Sequence, residues 1–512
     1  MMRQRFTFGK WMPDLAPLRQ QGTAIARAEN VLAVPGGYRA ARSLTRVNQF
    51  QAALPGTPVG VIRGVLSDGT SAFIAATDTG LFRLVDNLWS DVSRTSGYRP
   101  ATGLRWESDQ FGDEIFFSRR ANPLQALSFA SASRFEDVPD APRAAHVATA
   151  ENFLWVGDII SRTLGVARDA VAWSAVGAPR VWPTPGTDEA TSVLSGEQRL
   201  EGDGGIVQGI VAGAEVVAVF QENAIHRADF VGNDVVWRFS RVETRHGLAI
   251  PDAAVAFERM VFFISDDGFR VFNYTSSTNI GKGVVNEFFT EDYDFNFPDK
   301  VTLVKDPNDT KIWVSYPTKT SGGSPGRILV WDWVLDQWTL LNTGLHNFLL
   351  KAGEASPSLD SADTVDDPDR IGGASADTDS PGNESFDARE ILASQVAVGA
   401  FDAGGFLSTF TGTPSFGVLE TGDLELAAGR RALLTRVRPL VDGAEATVQV
   451  AGLDRRADDV NSVTFGAAAP MGPDGTNPVR VDARYHRIRF NLPSLLSDAT
   501  DFDVEFRPTG FF

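Results

Sequence analysis

The most regular feature of the chain is a recurring pair of short apolar segments joined by a turn. The pairs are Ser71–Thr77 with Leu81–Val85, Glu114–Ser118 with Leu124–Phe129, and Phe153–Gly157 with Val171–Val176. They continue as Val216–Phe220 with Ala224–Phe230, Met260–Ser265 with Phe269–Tyr274, and Lys311–Tyr316 with Arg327–Trp333. Val396–Phe401 with Gly405–Phe410 makes a possible seventh. The recurrence is irregular, at roughly 40 to 60 residues, the spacing expected of propeller blades.

Texture says more than spacing. The leading member of each pair, such as VVAVF or MVFFI, does not alternate with polar residues. A strand with one wet face alternates, whereas a strand buried on both faces reads as continuous apolar sequence. The second members carry Arg83, Arg227 and Arg270, as strands nearer the rim would. Radial repetition also shields sheet edges that would otherwise recruit other chains. The expectation is an all-β fold, a β-propeller of six to seven blades over residues 51–415; stacked sandwiches would give similar short strands.

Three regions depart from this pattern. Residues 1–50 show few strand signals and read as an extended assembly segment. Residues 351–390 are rich in Asp, Ser, Gly and Pro and nearly empty of large apolar side chains. Such composition buries too little surface to offset the entropy of ordering, so an acidic flexible insertion is expected. From about Phe416 the strands alternate: Leu433–Val441, Ala446–Val450, Val463–Phe465, Val479–Leu492 and Phe502–Phe506. His486, Ile488, Phe490 and Leu492 fall on one face, Tyr485, Arg487 and Arg489 on the other, as in a sheet wet on one side. Residues 416–512 are therefore expected to form a C-terminal β-sandwich. Gly281–Asp292 is the best short helix candidate.

Composition narrows the chemistry. The 512 residues include 35 Phe, 48 Gly, 27 Pro and no Cys. Disulfides, thiolate chemistry and cysteine-ligated metals are thereby excluded. Met1–Trp11 lacks the apolar core of a signal peptide. No run approaches the ~18 apolar residues of a membrane helix. A soluble chain made in a cytoplasm, without membrane insertion, is expected. The formal net charge is −18, which disfavours gripping DNA, since that places Lys and Arg against phosphates.

Few residues invite a catalytic reading. His146, His226, His246, His346 and His486 are scattered, with no HxH or HExxH spacing. There is no GxSxG elbow and no phosphate-binding loop; Gly202, Gly204 and Gly205 read as a turn before a strand. Ser265–Phe272 (SDDGFRVF) superficially resembles an Asp-box hairpin of sialidase propellers, but the spacing is short and Phe272 stands where Trp is usual. A tight hairpin turn explains it. The acidic run Asp360, Asp363, Asp366, Asp367 and Asp369 lacks the spacing of a calcium loop. No catalytic residue, metal site or cofactor is expected. One concentration does stand out against the acidic background: Arg430, Arg431, Arg436, Arg438, Arg484, Arg487 and Arg489. These arginines suit contact with an acidic partner or neighbouring subunit. Pairing across strands with Glu420, Asp423 and Glu425 would account for them as well.

Several phrases resemble a known family. Ile25–Leu44 (IARAENVLAVPGGYRAARSL) is similar to the opening of proteins in short-tailed phages. Val261–Phe289 and Arg327–Leu341 resemble the body of the tail hub or nozzle family, also called packaged-DNA stabilisation proteins. Leu419–Gly443 and Asp482–Phe490 resemble its end. The resemblance implies a non-enzymatic virion protein, located in the tail and assembled in the host cytoplasm. Such subunits form a ring, generally a homohexamer, below the portal and adaptor. The ring is a conduit and gate that retains the genome and then permits DNA ejection. Implied partners are other copies, the tail adaptor, a tail fibre, tailspike or needle protein, and viral DNA passing without sequence-specific binding. The alternative is a carbohydrate-binding or polysaccharide-cleaving propeller of a phage tail. Trp155, Trp173, Trp237, Trp313, Trp331 and Trp333 would then offer stacking faces for sugars.

Overall fold

The computed structural model describes residues 1–511 except 16–23, 68–70, 102, 130–132, 214–215, 233–234, 354–395, 442–445, 457–462 and 494–497. The acidic insertion expected at 351–390 lies almost wholly outside the described residues. The chain opens with β1 (Met2–Thr7), β2 (Ile25–Glu29), β3 (Val31–Val34), β4 (Gly37–Ala40) and β5 (Thr45–Arg46). Four-stranded antiparallel sheets then follow in chain order.

The first comprises β6 (Gly60–Val65), β7 (Ser71–Ala76), β8 (Leu81–Val85) and β9 (Leu88–Asp91). The second is β10 (Glu107–Phe111), β11 (Glu114–Ser118), β12 (Gln125–Ser128) and β13 (Glu136–Asp137). The third is β14 (Arg143–Ala150), β15 (Phe153–Ser161), β16 (Gly165–Trp173) and, after helix α1 (Asp188–Ser192), β17 (Gly196–Arg199). The fourth is β18 (Val207–Ala212), β19 (Val216–Gln221), β20 (Ile225–Phe230) and β21 (Trp237–Glu243). The fifth is β22 (Ala254–Phe257), β23 (Met260–Ser265), β24 (Gly268–Phe272) and β25 (Ser277–Asn279). Helix α2 (Asn286–Asp292), inside the predicted helical stretch, leads to β26 (Thr302–Lys305), β27 (Lys311–Pro317), β28 (Pro325–Asp332) and β29 (Gln337–Asn342). Last come β30 (His346–Gly353), β31 (Val396–Asp402) and β32 (Leu407–Thr409), to which β5 adds the outer strand.

Turn chemistry sets the hairpins. Asp86 and Asn87 (φ 47° and 64°) join β8 to β9, and Glu151 and Asn152 (φ 48° and 62°) join β14 to β15. Two residues in the left-handed region give the turn whose twist matches antiparallel strands.

The leading strands of successive sheets touch in sequence: β6 on β10, β10 on β14, β14 on β18, β18 on β22, β22 on β26, β26 on β30, and β30 back on β6. The arrangement is propeller-like and closes on itself. Each predicted pair supplies the second and third strands of a sheet, not the innermost. The second strand is the dry one because alternate side chains enter two different interfaces. Phe117 packs toward the preceding sheet with Ile74 and Leu81, whereas Phe116 packs toward the next with Leu154 and Val156. Val261 and Phe263 face Phe220, while Phe262 faces Trp331. Innermost strands such as β10 (ESDQF) are half-buried and polar, and outer strands such as β25 (STN) are short. Both escaped a reading based on apolar runs.

The terminal strands are β33 (Gly417–Thr421), β34 (Arg430–Val441), β35 (Thr447–Leu453), β36 (Asn477–Ala483), β37 (Tyr485–Leu492) and β38 (Ala499–Phe511). One sheet runs β3-β4-β38-β34-β36, with β1 on β38. In the other, β35-β37-β33-β2 continues through β29 into the ring, so eight strands form one sheet. The two sheets pack through Phe490 and Phe502, whose rings are 4.9 Å apart. Their shared core also holds Phe262, Trp331 and Trp338 of the ring.

This organisation differs from the sequence reading in three respects. The first 50 residues are not an extended arm: their strands complete both terminal sheets and the last ring sheet. Short, polar strands such as β1 (MRQRFT) carry little apolar signal because backbone pairing with β38 holds them while their side chains stay mostly exposed. The stretch Val479–Leu492 breaks at Arg484 into β36 and β37, which belong to different sheets. Val463–Phe465 forms no strand.

Dense aromatic packing surrounds Trp155, with Trp237 at 4.7 Å and Trp173 at 5.3 Å between ring centres. Replacing a buried Trp by Ala typically costs about 3–5 kcal/mol. Trp155→Ala is expected to lower the guanidinium unfolding midpoint markedly; an unchanged midpoint would contradict the packing described.

Candidate functional site

The seven arginines divide between two environments. On β37, Arg487 is fully buried, with its Nε donating to Asp423 Oδ1 at 2.8 Å and its Nη1 3.6 Å from Glu420. Arg489 lies directly across from Glu420 and donates to it at 2.9 Å. Arg484 stands 3.9 Å from Glu425. Pairing with these three carboxylates thus engages Arg484, Arg487 and Arg489, across paired strands only between Arg489 and Glu420. Burial raises the Glu420 carboxyl above its ordinary value, and the arginines work against that rise. The face expected to be wet is dry at Arg487. The segment after β33 doubles back, with Leu424 bridging His486, and brings Asp423 with it. Removing one partner of such a network leaves an uncompensated buried charge.

The β34 arginines lie elsewhere. Arg430 is exposed, and Arg431 meets Asp454 and donates to the Asp482 carbonyl at 2.6 Å. Arg436 and Arg438 project from the outer face of the terminal sheet. There the register places Arg3, Glu505 and Arg436 in one row, and Arg5, Asp503 and Arg438 in the next. Two carboxylates are flanked by four guanidinium groups. Arg5, donating at 3.0 Å, and Arg3 hold the Asp503 carboxyl below its ordinary range. Arg3, Arg436, Arg438, Thr476, Asp503 and Glu505 line a shallow cavity of about 50 Å³.

A second constellation went unread in the sequence. It sits at the end of the ring where the innermost strands begin. Arg105, just before β10, donates to the carbonyls of Val301 at 2.6 Å and Pro251 at 3.0 Å, and to Asp252 at 3.0 Å. Its guanidinium lies 6.0 Å from the Phe348 ring centre. One side chain therefore ties together the leading segments of β10, β22, β26 and β30. Beside it, His146 on β14 places Nδ1 2.6 Å from Glu107 and Nε2 3.0 Å from the Val207 carbonyl. A carbonyl only accepts, so Nε2 carries a proton; Nδ1 shares one with Glu107.

Electrostatics follow from this crowding. Burial lowers the His146 pKa, but the charge and hydrogen bond of Glu107 more than reverse it, leaving it raised. Asp252 is pushed up to about 7 by burial and then by Glu107, against the pull of Arg105 and His146. Its side chain is nevertheless 45% exposed, so the group is hemmed in by neighbours while still touching water. Arg105 and Glu107 come from the start of the second sheet, His146 from the third and Asp252 from the approach to the fifth, so no spacing links the three groups in sequence.

The remaining groups are mostly structural. His226 and His346 are buried and brought down to about 4, chiefly by burial, and burial also lowers His486. Trp155, Trp173, Trp237, Trp313 and Trp331 are buried, and Trp333 is half-buried. Ser265–Phe272 is a hairpin turning on Asp266 and Asp267.

No family model and no curated protein matches the chain. Among solved structures, the selenomethionine-substituted virginiamycin B lyase from Staphylococcus aureus aligns with a TM-score of 0.31 at 13% identity. The alignment covers 58% of this chain and 86% of that one.

The ring-end cluster has a pH signature. An acid raised in the fold favours folding fully below its ordinary value, here 3.8, and loses that contribution as pH climbs through about 7. The raised His146 acts in the same direction, its contribution being lost as pH rises through its folded pKa. Thermal stability is expected to lose this contribution between about pH 4 and 7, and less steeply in Asp252→Asn. Parallel melting curves for the two proteins across that range would refute the assignment.

Proposed function

We propose that the chain is a structural subunit, a seven-bladed β-propeller fused to a terminal β-sandwich, that builds the tail hub or nozzle ring of a short-tailed phage. The observation that carries this reading is the union of ring and terminal layer. Strand β2 pairs with β33 and, through Glu29 and Leu340, with β29. Backbone hydrogen bonds thus run from the circle into the terminal sheets, which suits a load-bearing block better than a hinged pair of domains. The family phrases noted above fall on both parts.

The arginine rows on the outer face of β1, β38 and β34 are the natural contact with a neighbouring copy. A guanidinium-rich face on a chain of net charge −18 finds complementary surface on any other copy. Repeated heterologous contacts of this kind make a ring when the rotation between copies closes and a filament when it does not. Acidic side chains near a bore would repel passing DNA over about 8–10 Å, the screening length at physiological salt. The tail adaptor and a fibre, tailspike or needle protein are the proposed neighbours. Burial of five of the six tryptophans favours this over a sugar-binding platform.

Sedimentation velocity tests the reading. A closed oligomer, six copies being expected, should form and should dissociate at high salt. Arg436→Glu with Arg438→Glu should shift it toward monomer. A chain that stays monomeric at every concentration and with purified adaptor, yet binds or cleaves a polysaccharide, would overturn it.

A further inference from the structure

One imidazole and two carboxylates converge at the junction of the fourth and fifth ring sheets. Asp266 and Asp267 are the two turn residues between β23 and β24, with Ser265 and Gly268 the last paired residues. His246 comes from the segment joining β21 to β22. Its Nδ1 stands 3.4 Å from Asp266 Oδ1 and 3.8 Å from Asp267 Oδ1. All three potential ligand atoms lie within 4.8 Å of one another.

Hydrogen bonding alone does not explain this convergence. Nδ1 can donate one proton to one oxygen, and 3.8 Å is beyond hydrogen-bond reach. With the proton on Nε2, three lone pairs would point at the same space. A tetrahedral ion with bonds of about 2.0–2.2 Å sets neighbouring ligand atoms roughly 3.3–3.6 Å apart. The two separations from His246, 3.4 and 3.8 Å, lie within a few tenths of an ångström of this spacing, and the two carboxylates, within 4.8 Å of each other, can close the remainder by rotation of the exposed Asp266 side chain.

Groups outside the trio hold the ligands in place. Ser265 Oγ donates to Asp266 Oδ1 at 3.0 Å. Arg270 donates to Asp267 Oδ2 at 2.6 Å, which leaves Oδ1 turned toward His246. The Asp267 carbonyl accepts from the side-chain amides of Asn279 and Asn286, each at 2.9 Å. Such partners orient metal-binding carboxylates.

We propose that His246, Asp266 and Asp267 bind a first-row divalent ion, Zn²⁺ by preference, with water completing the coordination. One imidazole nitrogen with two carboxylates selects Zn²⁺ over Mg²⁺ or Ca²⁺, which favour all-oxygen sites. The ion fastens the tip of one sheet's hairpin to the segment leaving its neighbour, and binding only the folded state raises stability.

The chain offers a clean background. It has no cysteine, and the other four histidines are buried. Calorimetric titration of the EDTA-treated, dialysed full chain with ZnCl₂ should give saturable one-to-one binding, with MgCl₂ giving none. His246→Ala and Asp266→Asn should each weaken binding at least tenfold and abolish the rise in melting temperature with ZnCl₂. Circular dichroism confirms that each variant is folded. Absence of saturable binding overturns the proposal, as does a folded His246→Ala variant that titrates like the original chain.

Discussion

Dehydration of each sheet's second strand on both faces is the constraint on which the ring depends. A pleated strand sends alternate side chains to opposite faces. Here the odd and even positions of β11, β15, β19, β23 and β27 enter different apolar clusters. No sheet can be removed without wetting a face of each neighbour. That mutual dependence makes the circle self-consistent and explains why a strand from the N-terminal segment, β5, completes the last sheet.

The same logic governs the terminal layer. It does not hang from the ring by a linker, because β2 carries sheet pairing across the junction and a common core continues beneath it. Within that core the Arg487 network is a costly feature, held by excellent local pairing with Asp423 and Glu420. In a buried network of this type the cost of removing charges from water offsets much of the pairing energy. This network spans β37, β33 and the segment that follows β33.

Charge is distributed unevenly over this scaffold. Guanidinium groups outnumber carboxylates in the rows on β1, β38 and β34, although the chain as a whole is strongly acidic. At the ring end, the balance among Arg105, Glu107, His146 and Asp252 is closer: burial raises the Asp252 carboxyl, while the charge and hydrogen bond of Glu107 raise His146 against burial. The first arrangement suits contact with another acidic surface. The second joins the sheets across the circle.

Residue patterns alone determined that the body is built of short β-hairpins with dry central strands, because burial on two faces leaves an unbroken apolar run such as VVAVF. They also marked the helix near Asn286 and the turn at Asp266. Tertiary structure alone decided how those hairpins are completed. Strands such as β1, β10 and β25 are short or polar and are held by backbone pairing, β1 with β38 at the far end of the chain and β10 and β25 with the neighbouring hairpin strand, so their side chains carry little apolar trace. It also decided which arginines are buried: Arg487 and Arg489 alternate with apolar residues as surface side chains do, and only the return of the segment bearing Asp423 removes Arg487 from water. The cluster of Arg105, Glu107, His146 and Asp252 belongs to the same class, since only the packing of sheets around the ring brings His146 and Asp252 to the start of β10.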